Sequence, residues 1–75
     1  MHVVTKQELA LLLRELRSKR NISQEALSKE IGISKGTIYR LENARINHPD
    51  ANHIGILATY FNTYINMVPE GWEPQ

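Results

Sequence analysis

The side chains with the clearest potential for chemistry lie in the segment SKGTIYR, which runs from Ser34 to Arg40. Lys35 and Arg40 carry cationic hydrogen-bond donors and Thr37 carries a hydroxyl, so they suit a partner that is anionic or rich in acceptors. Gly36 lies among them, although glycine within a helix costs about 1 kcal/mol relative to alanine. The segment therefore indicates a binding surface whose glycine needs an explanation.

Arrangements typical of enzymes are missing from the sequence, which has no phosphate-binding loop, no glycine-rich nucleotide motif, no Ser-His-Asp triad and no paired carboxylates. His48, Asp50 and His53 are close enough in sequence to suggest a metal site. They straddle Pro49 and the start of a helix with no evident fourth ligand, so we interpret them as loop and capping residues. Because the chain contains no cysteine, disulfides and cysteine-based metal sites are excluded. We expect no enzyme activity, no metal and no cofactor.

The length of 75 residues predicts a single domain that covers residues 1–75. A domain of this size buries a thin core and often gains stability by pairing with another chain. The formal net charge is +1, but six of the nine Lys and Arg residues lie between Arg14 and Lys35, a mild basic bias that is consistent with a polyanionic partner. The longest uninterrupted apolar run, Leu9 to Leu13, is too short to span a membrane. We expect a soluble cytoplasmic protein without a membrane partner.

Apolar residues recur at helical spacing through most of the chain. In the first helix they are Leu9, Leu12, Leu13 and Leu16. Thr5 is placed to cap this helix, and Glu8 three residues later completes a capping box. Asn21 suits the left-handed position that ends a helix, where asparagine commonly replaces glycine.

Two short helices are predicted next, with N-caps at Ser23 and Ser34. Their apolar faces contain Ala26, Leu27 and Ile31 in the second helix and Ile38 and Leu41 in the third. Gly32 ends the second helix. The third ends in the segment ARINHP, because Pro49 disfavours helical geometry in the residue before it.

A fourth helix is predicted from about Asp50 to Phe61, with Asn62 as its stop. Its buried face contains Ile54, Leu57, Ala58 and Phe61. The segment from Tyr64 to Val68 is a candidate for a fifth helix, and the tail at about 69–75 is predicted to be irregular. No repeat, linker or alternating strand pattern is present, so the sequence predicts an all-α fold, a compact bundle of four or five short helices.

Only Gly32, Ile33 and Ser34 separate the second helix from the third. A tight turn with glycine between two short helices is typical of a helix-turn-helix, whose second helix enters the major groove of DNA. The stretch ISQEALSKEIGISKGTIYRLENARINHP resembles the helix-turn-helix of the phage repressor and Cro family, also called the Xre family. The matching residues are Ser23 to Leu27, Ile31 to Ser34, Ile38, Leu41 to Asn43, and Pro49. This resemblance, which extends more loosely from Leu13 to Ile65, implies a lambda-repressor-like domain with its helix-turn-helix at about 23–44.

The resemblance implies that the third helix reads double-stranded DNA. The positions that usually touch bases in the family correspond to Lys35, Gly36, Thr37 and Arg40. Contacts to the DNA backbone are expected from Gln24, Ser34, Tyr39, Asn43, Arg45 and Asn47. The alternative interpretation is an ordinary solvated helix face followed by a polar turn.

A structural ion pair is also implied by the resemblance. Family members often pair an arginine of the first helix with the glutamate of the LEN stretch, which here are Arg17 and Glu42. Such a pair would lock the reading helix to the rest of the bundle.

The C-terminal third carries apolar residues that we interpret as a contact between two copies of the chain. The candidate dimer contacts are Tyr64, Ile65, Met67, Val68 and Trp72. The alternative is that these residues merely close the small core.

The function implied by the resemblance is that of a sequence-specific transcriptional regulator of bacterial or phage origin. We expect a repressor that binds a palindromic operator as a homodimer through the major groove. One alternative is a protein-interaction module, such as an antitoxin that binds a partner protein through its C-terminal apolar surface. Another is that the chain is the DNA-binding portion of a longer protein.

Overall fold

The computed structural model describes residues 3–68, which form four helices and one pair of short strands. The elements are β1 (Val3–Val4), α1 (Lys6–Lys19), α2 (Gln24–Ile31), α3 (Lys35–Glu42), α4 (Ala51–Tyr60) and β2 (Asn66–Met67). The predicted helical fold class is confirmed. The predicted irregular tail at 69–75, with Trp72, lies outside the described residues.

The helices begin at side chains that satisfy their first free backbone N–H groups. Thr5 and Glu8 form the predicted capping box of α1, with the Thr5 Oγ1 accepting from the Glu8 N–H at 3.2 Å. The hydroxyls of Ser23 and Ser34 cap α2 and α3, and the Asp50 carboxylate caps α4. The start of each helix is therefore determined by residues within its first turn and the residue before it.

The core is built from one face of each helix. Its buried apolar residues are Val4, Leu9, Leu13, Leu27, Ile33, Ile38, Leu41, Ile54, Leu57, Phe61 and Ile65. Helix α3 packs against α1 and α2, and α2 also contacts α4. The guanidinium of Arg20, just after α1, lies 5.0 Å from the ring centre of Tyr60 and joins the ends of α1 and α4. No helix within residues 3–68 has the length and apolar character needed to cross a bilayer.

The predicted fifth helix is wrong, because the segment after α4 forms a strand. Val3 pairs with Asn66 and Val4 with Met67 in a parallel two-stranded sheet, and the Val68 N–H donates to the Val4 carbonyl at 3.0 Å. The β-branched Val3 and Val4 favour extended backbone in β1, and Pro69 disfavours helical geometry at Val68, the residue before it.

The candidate dimer contacts within the described residues differ in their exposure. Ile65 is buried in the core, with 9% of its surface exposed, so it closes the core and offers little surface to a second copy. Met67 is half-buried and packs against the same core. Tyr64, in contrast, is 73% exposed.

All four described helices end at a residue with left-handed backbone, and in three of them that residue is not glycine. Asn21 and Asn62 have φ of 56° and 51°, as their positions in the sequence predicted, and Ala44 has φ of 55°. At Ala44 the N–H bonds the Leu41 carbonyl at 3.3 Å, and the next N–H bonds the Arg40 carbonyl at 2.9 Å. This is a Schellman ending of α3 with alanine in the place that favours glycine.

Replacing Ala44 with glycine is expected to raise the free energy of unfolding by about 0.5–1 kcal/mol. The left-handed conformation costs an alanine roughly 1–2 kcal/mol, and the added freedom of glycine in the unfolded chain offsets about half of that gain. Urea unfolding followed by circular dichroism measures the effect. The matched control is Ala26→Gly, at an exposed position inside α2, which is expected to lose about 1 kcal/mol. A loss of stability in Ala44→Gly would contradict the explanation.

Candidate nucleic-acid interface

The turn between α2 and α3 fixes the orientation of α3 on the bundle. Gly32 ends α2 with φ of 75°, a conformation that glycine adopts without steric cost. Ile33 in the turn is buried at 3% exposure, and the hydroxyl of Ser34 accepts from the Thr37 N–H at 3.1 Å. Helix α3 is thus anchored at its N-terminus. Three residues separate it from α2, as the sequence predicted.

Helix α3 has one buried face and one open face. Ile38, Leu41 and Glu42 are buried. Of the predicted base-reading residues, Lys35, Gly36 and Arg40 are exposed and Thr37 is half-buried. All four therefore remain accessible from solvent, on a helix whose other face is held in the core.

A chain of hydrogen bonds joins the side chains of the open face. The Ser34 hydroxyl donates to Thr37 Oγ1 at 2.8 Å, and Arg40 Nη2 donates to the same oxygen at 3.2 Å. Thr37 therefore holds the guanidinium of Arg40 against the helix. This arrangement reduces the rotamer freedom that Arg40 would lose on binding a partner.

Gly36 provides the space in which Arg40 lies. A Cβ atom added at Gly36 would be 3.3 Å from Arg40 Nη1, a tight contact. Residues 36 and 40 are one helical turn apart on the same face, so the Arg40 side chain folds back over the glycine. This contact offers an explanation for the glycine, because a larger residue at position 36 would crowd Arg40.

A buried ion pair fastens α3 to α1. Glu42, 1% exposed, accepts from Arg17 Nε at 2.7 Å and Arg17 Nη2 at 2.8 Å, and Arg17 Nη1 also donates to the Ile22 carbonyl. The hydrogen bonds with Glu42, together with its opposite charge, raise the pKa of Arg17 above its ordinary value, against the effect of burial. The structure thus contains the ion pair that the resemblance implied.

Gln24 is also attached to this carboxylate. Its Nε2 donates to Glu42 Oε1 at 3.1 Å, so the first residue of α2 is tied to the last residue of α3. An amide nitrogen has two hydrogens, and the second is available to a phosphate oxygen. Gln24 is therefore both a structural residue and a candidate backbone contact.

Like Gln24 and Ser34, two further predicted backbone contacts already have partners inside the protein. Asn43 Nδ2 donates to the Tyr39 carbonyl at 2.8 Å, and Asn43 Oδ1 accepts from Arg14 Nη2 at 3.0 Å. Asn47 Oδ1 accepts from Lys6 Nζ at 2.6 Å. Sequence reasoning missed both cations of α1, because these bonds join residues 29 and 41 positions apart and leave no local signal.

The open face of α3 keeps its positive charge. Within residues 3–68 the ion pairs are Arg17–Glu42 and Lys19–Glu15, so Lys35, Arg40 and Arg45 have no carboxylate at salt-bridge distance there. Tyr39 is half exposed beside them and Arg45 is exposed after the end of α3. No group of three His, Asp or Glu side chains suited to a metal occurs in this part of the chain. The arrangement suits an anionic partner that is read by hydrogen bonds.

Comparison with known proteins places the chain in the family described as helix-turn-helix (HTH_3), which matches residues 13–67. The chain belongs to this family of DNA-binding regulators, which confirms its resemblance to Xre-type helix-turn-helix proteins. A solved structure, "HipB-O4 20mer complex", contains a chain with 18% sequence identity and a TM-score of 0.71. The likeness covers 93% of this chain and 97% of that chain, and at this identity it shows the fold alone. No curated protein matches the chain.

The two glycines inside helices allow a matched test of what Gly36 does. Gly36→Ala and Gly55→Ala are both expected to stabilise the fold, by about 0.5–1 kcal/mol, because alanine is the better helix former. Only Gly36→Ala is expected to change DNA binding, since its Cβ displaces Arg40, whereas nothing lies within 4 Å of a Cβ at Gly55. Thermal unfolding and binding to a panel of single-base operator variants measure the two effects. Identical binding profiles for the two variants would show that Gly36 does not position Arg40.

Proposed function

We propose that this protein is a sequence-specific transcriptional regulator, a repressor that binds a palindromic operator as a homodimer. The observation that supports this most strongly is the open face of α3, where Arg40 is bonded to Thr37, lies in the space left by Gly36, and has no carboxylate partner within residues 3–68. Arginine in the major groove donates two hydrogen bonds to guanine O6 and N7, the commonest specific contact between protein and DNA. Arg40 is the proposed principal reader.

The remaining contacts divide between bases and phosphates. Lys35, at the first position of α3, is proposed to reach a base edge, and the methyl of Thr37 is proposed to meet a thymine methyl in the same groove. Ser34, Tyr39 and Arg45 are proposed to contact the DNA backbone. Base contacts carry the sequence preference, whereas phosphate contacts fix the orientation of the helix.

A dimer is supported by an apolar surface that the isolated chain leaves open. Leu11 is 65% exposed and Tyr64 is 73% exposed, and both line one hollow with Val4 and Leu12. Sequence reasoning missed Leu11 because it lies off the apolar stripe of α1. We propose that Leu11 and Tyr64 contact a second copy, together with the half-buried Val68 that directly follows β2. The two α3 helices would then meet half-sites about 34–36 Å apart.

Selection of bound DNA from a random pool, at a stated salt concentration, tests the proposal. A palindromic consensus supports a sequence-specific dimer. Binding without preference contradicts the proposal, because phosphate contacts alone carry no sequence information. Sedimentation of the protein, free and bound to the selected site, separates dimeric from monomeric binding. A monomer in both states would contradict the dimer while leaving base reading intact.

A protein partner is the second candidate for the same apolar surface. The exposure of Leu11 and Tyr64 favours an interaction with some apolar surface, whether a second copy or a different protein. In the second case the chain would act as an antitoxin-type module. A stable complex with a different protein that forms without DNA, together with a monomeric free chain, would favour this function over the homodimer.

A further inference from the structure

We propose that Arg14 and Lys6 of α1 form a second phosphate-binding element beside the C-terminal end of α3. This inference rests on the proposed DNA-binding function and adds two residues to its interface. It also changes the role of two asparagines. Asn43 and Asn47 gain a positioning role, because each holds one of these cations through its amide oxygen.

The position of Arg14 follows from the bonds of Asn43. Asn43 directly follows α3, one helical turn after Tyr39, and its Nδ2 donates to the Tyr39 carbonyl at 2.8 Å. Its Oδ1 accepts from Arg14 Nη2 at 3.0 Å. Both polar groups of the amide are thus engaged, and the Arg14 guanidinium is held at the C-terminal end of α3, next to its open face.

Lys6 extends the same element toward the loop after α3. Its Nζ is 2.6 Å from Asn47 Oδ1, so a second cation of α1 is held by an amide of that loop. Neither Lys6 nor Arg14 has a carboxylate within salt-bridge distance in the part of the chain that the structure describes. An amide oxygen orients a cation without cancelling its charge, which leaves the charge available to a phosphate.

The surroundings of Arg14 connect this element to the start of α2, where Gln24 is the candidate phosphate contact. Arg14 and Arg17 line one polar hollow with Ser18, Asn21 and Ser23, at the junction of α1 and α2. Gln24 follows directly and is bonded to the same Glu42 carboxylate as Arg17. In this proposal Lys6, Arg14 and Gln24 are the donors that face a sugar–phosphate backbone passing beside α3.

The test compares Arg14→Ala with Lys19→Ala in operator binding over a series of salt concentrations. Both changes remove one exposed cation of α1, but Lys19 is five residues further along the helix and is paired with Glu15. Loss of one phosphate contact is expected to lower the salt slope by about 0.9 per protomer, and the affinity by about eightfold at 0.1 M salt. The selected consensus should stay unchanged. Arg14→Lys, which keeps the charge, should retain most of the slope.

A slope for Arg14→Ala equal to that of Lys19→Ala would overturn this inference, and the proposed function would stand if the wild type still selects a palindrome. Absence of any preference in the wild type would instead overturn the proposed function. Asn43→Ala tests the positioning role, because it should weaken binding when Arg14 is present and add little in the Arg14→Ala background. Additive losses in that double-mutant cycle would return Asn43 to a direct contact.

Discussion

Replacing Arg17 with alanine is expected to lower the free energy of unfolding by about 3–5 kcal/mol, the usual cost of removing one partner from a buried ion pair. The carboxylate of Glu42 is 1% exposed and receives two of its three side-chain hydrogen bonds from Arg17. Without Arg17, the negative charge stays buried with one bond from Gln24. The cost is therefore the desolvation of an unpaired charge.

This loss is large for a domain of 75 residues, whose total stability at about 0.05–0.15 kcal/mol per residue is roughly 4–11 kcal/mol. Each kcal/mol shifts the melting temperature of so small a domain by about 4–8 °C, so a fall of more than about 10 °C is expected. Thermal unfolding followed by circular dichroism measures it. Equal melting temperatures for wild type and Arg17→Ala would show that the pair does not hold the fold.

A double variant distinguishes the cost of breaking the pair from the contribution of the pair itself. In Arg17→Met/Glu42→Met no charge is left unpaired, and two apolar side chains of similar length occupy the same space. Replacing a whole buried pair in this way is often neutral or stabilising by about 1–4 kcal/mol. We expect the double variant to melt well above Arg17→Ala. A double variant as unstable as the single one would indicate that the geometry of the pair is itself needed.

The helical part of this fold was predictable because its signals are local. Thr5, Ser23 and Ser34 are caps that act within three residues of themselves, and they fix where helices begin. Asn21 and Asn62 mark helix ends for the same reason. The open and buried faces of α3 followed from its periodicity, since Ile38 and Leu41 are spaced to share one side.

The parts that sequence reasoning missed depend on distant residues or on exceptions to local preference. The two strands are two residues each, too short to show alternation, and they pair because the segments before α1 and after α4 lie side by side. Val3 and Val4 carried a weak β-branched signal. Ala44 takes a conformation that its residue type does not favour, and the bond from Arg14 to Asn43 arises from the packing of α1 on α3.

Replacing Arg40 with alanine is expected to relax DNA sequence preference at one position of each half-site while leaving the fold intact. Arg40 is exposed and its side-chain bond goes to Thr37, so its removal leaves no buried group without a partner. Loss of a bidentate contact to guanine typically removes about 1–3 kcal/mol of discrimination for each base pair read. In a dimer bound to a palindromic operator, both half-sites lose this discrimination. Binding to all single-base variants of the selected operator measures the change, position by position.

The matched control is Arg45→Ala, which removes the same charge from an exposed position just after α3. Since Arg45 is proposed to contact phosphate, its loss should weaken every operator variant about equally and lower the salt slope by about 0.9 per protomer. The two variants therefore distinguish base contacts from phosphate contacts. Arg40→Ala is expected to change the pattern of base preferences, whereas Arg45→Ala is expected to change the overall affinity. If Arg40→Ala keeps the wild-type pattern, Arg40 does not read a base, and the recognition role would pass to Lys35 and Thr37 on the same face.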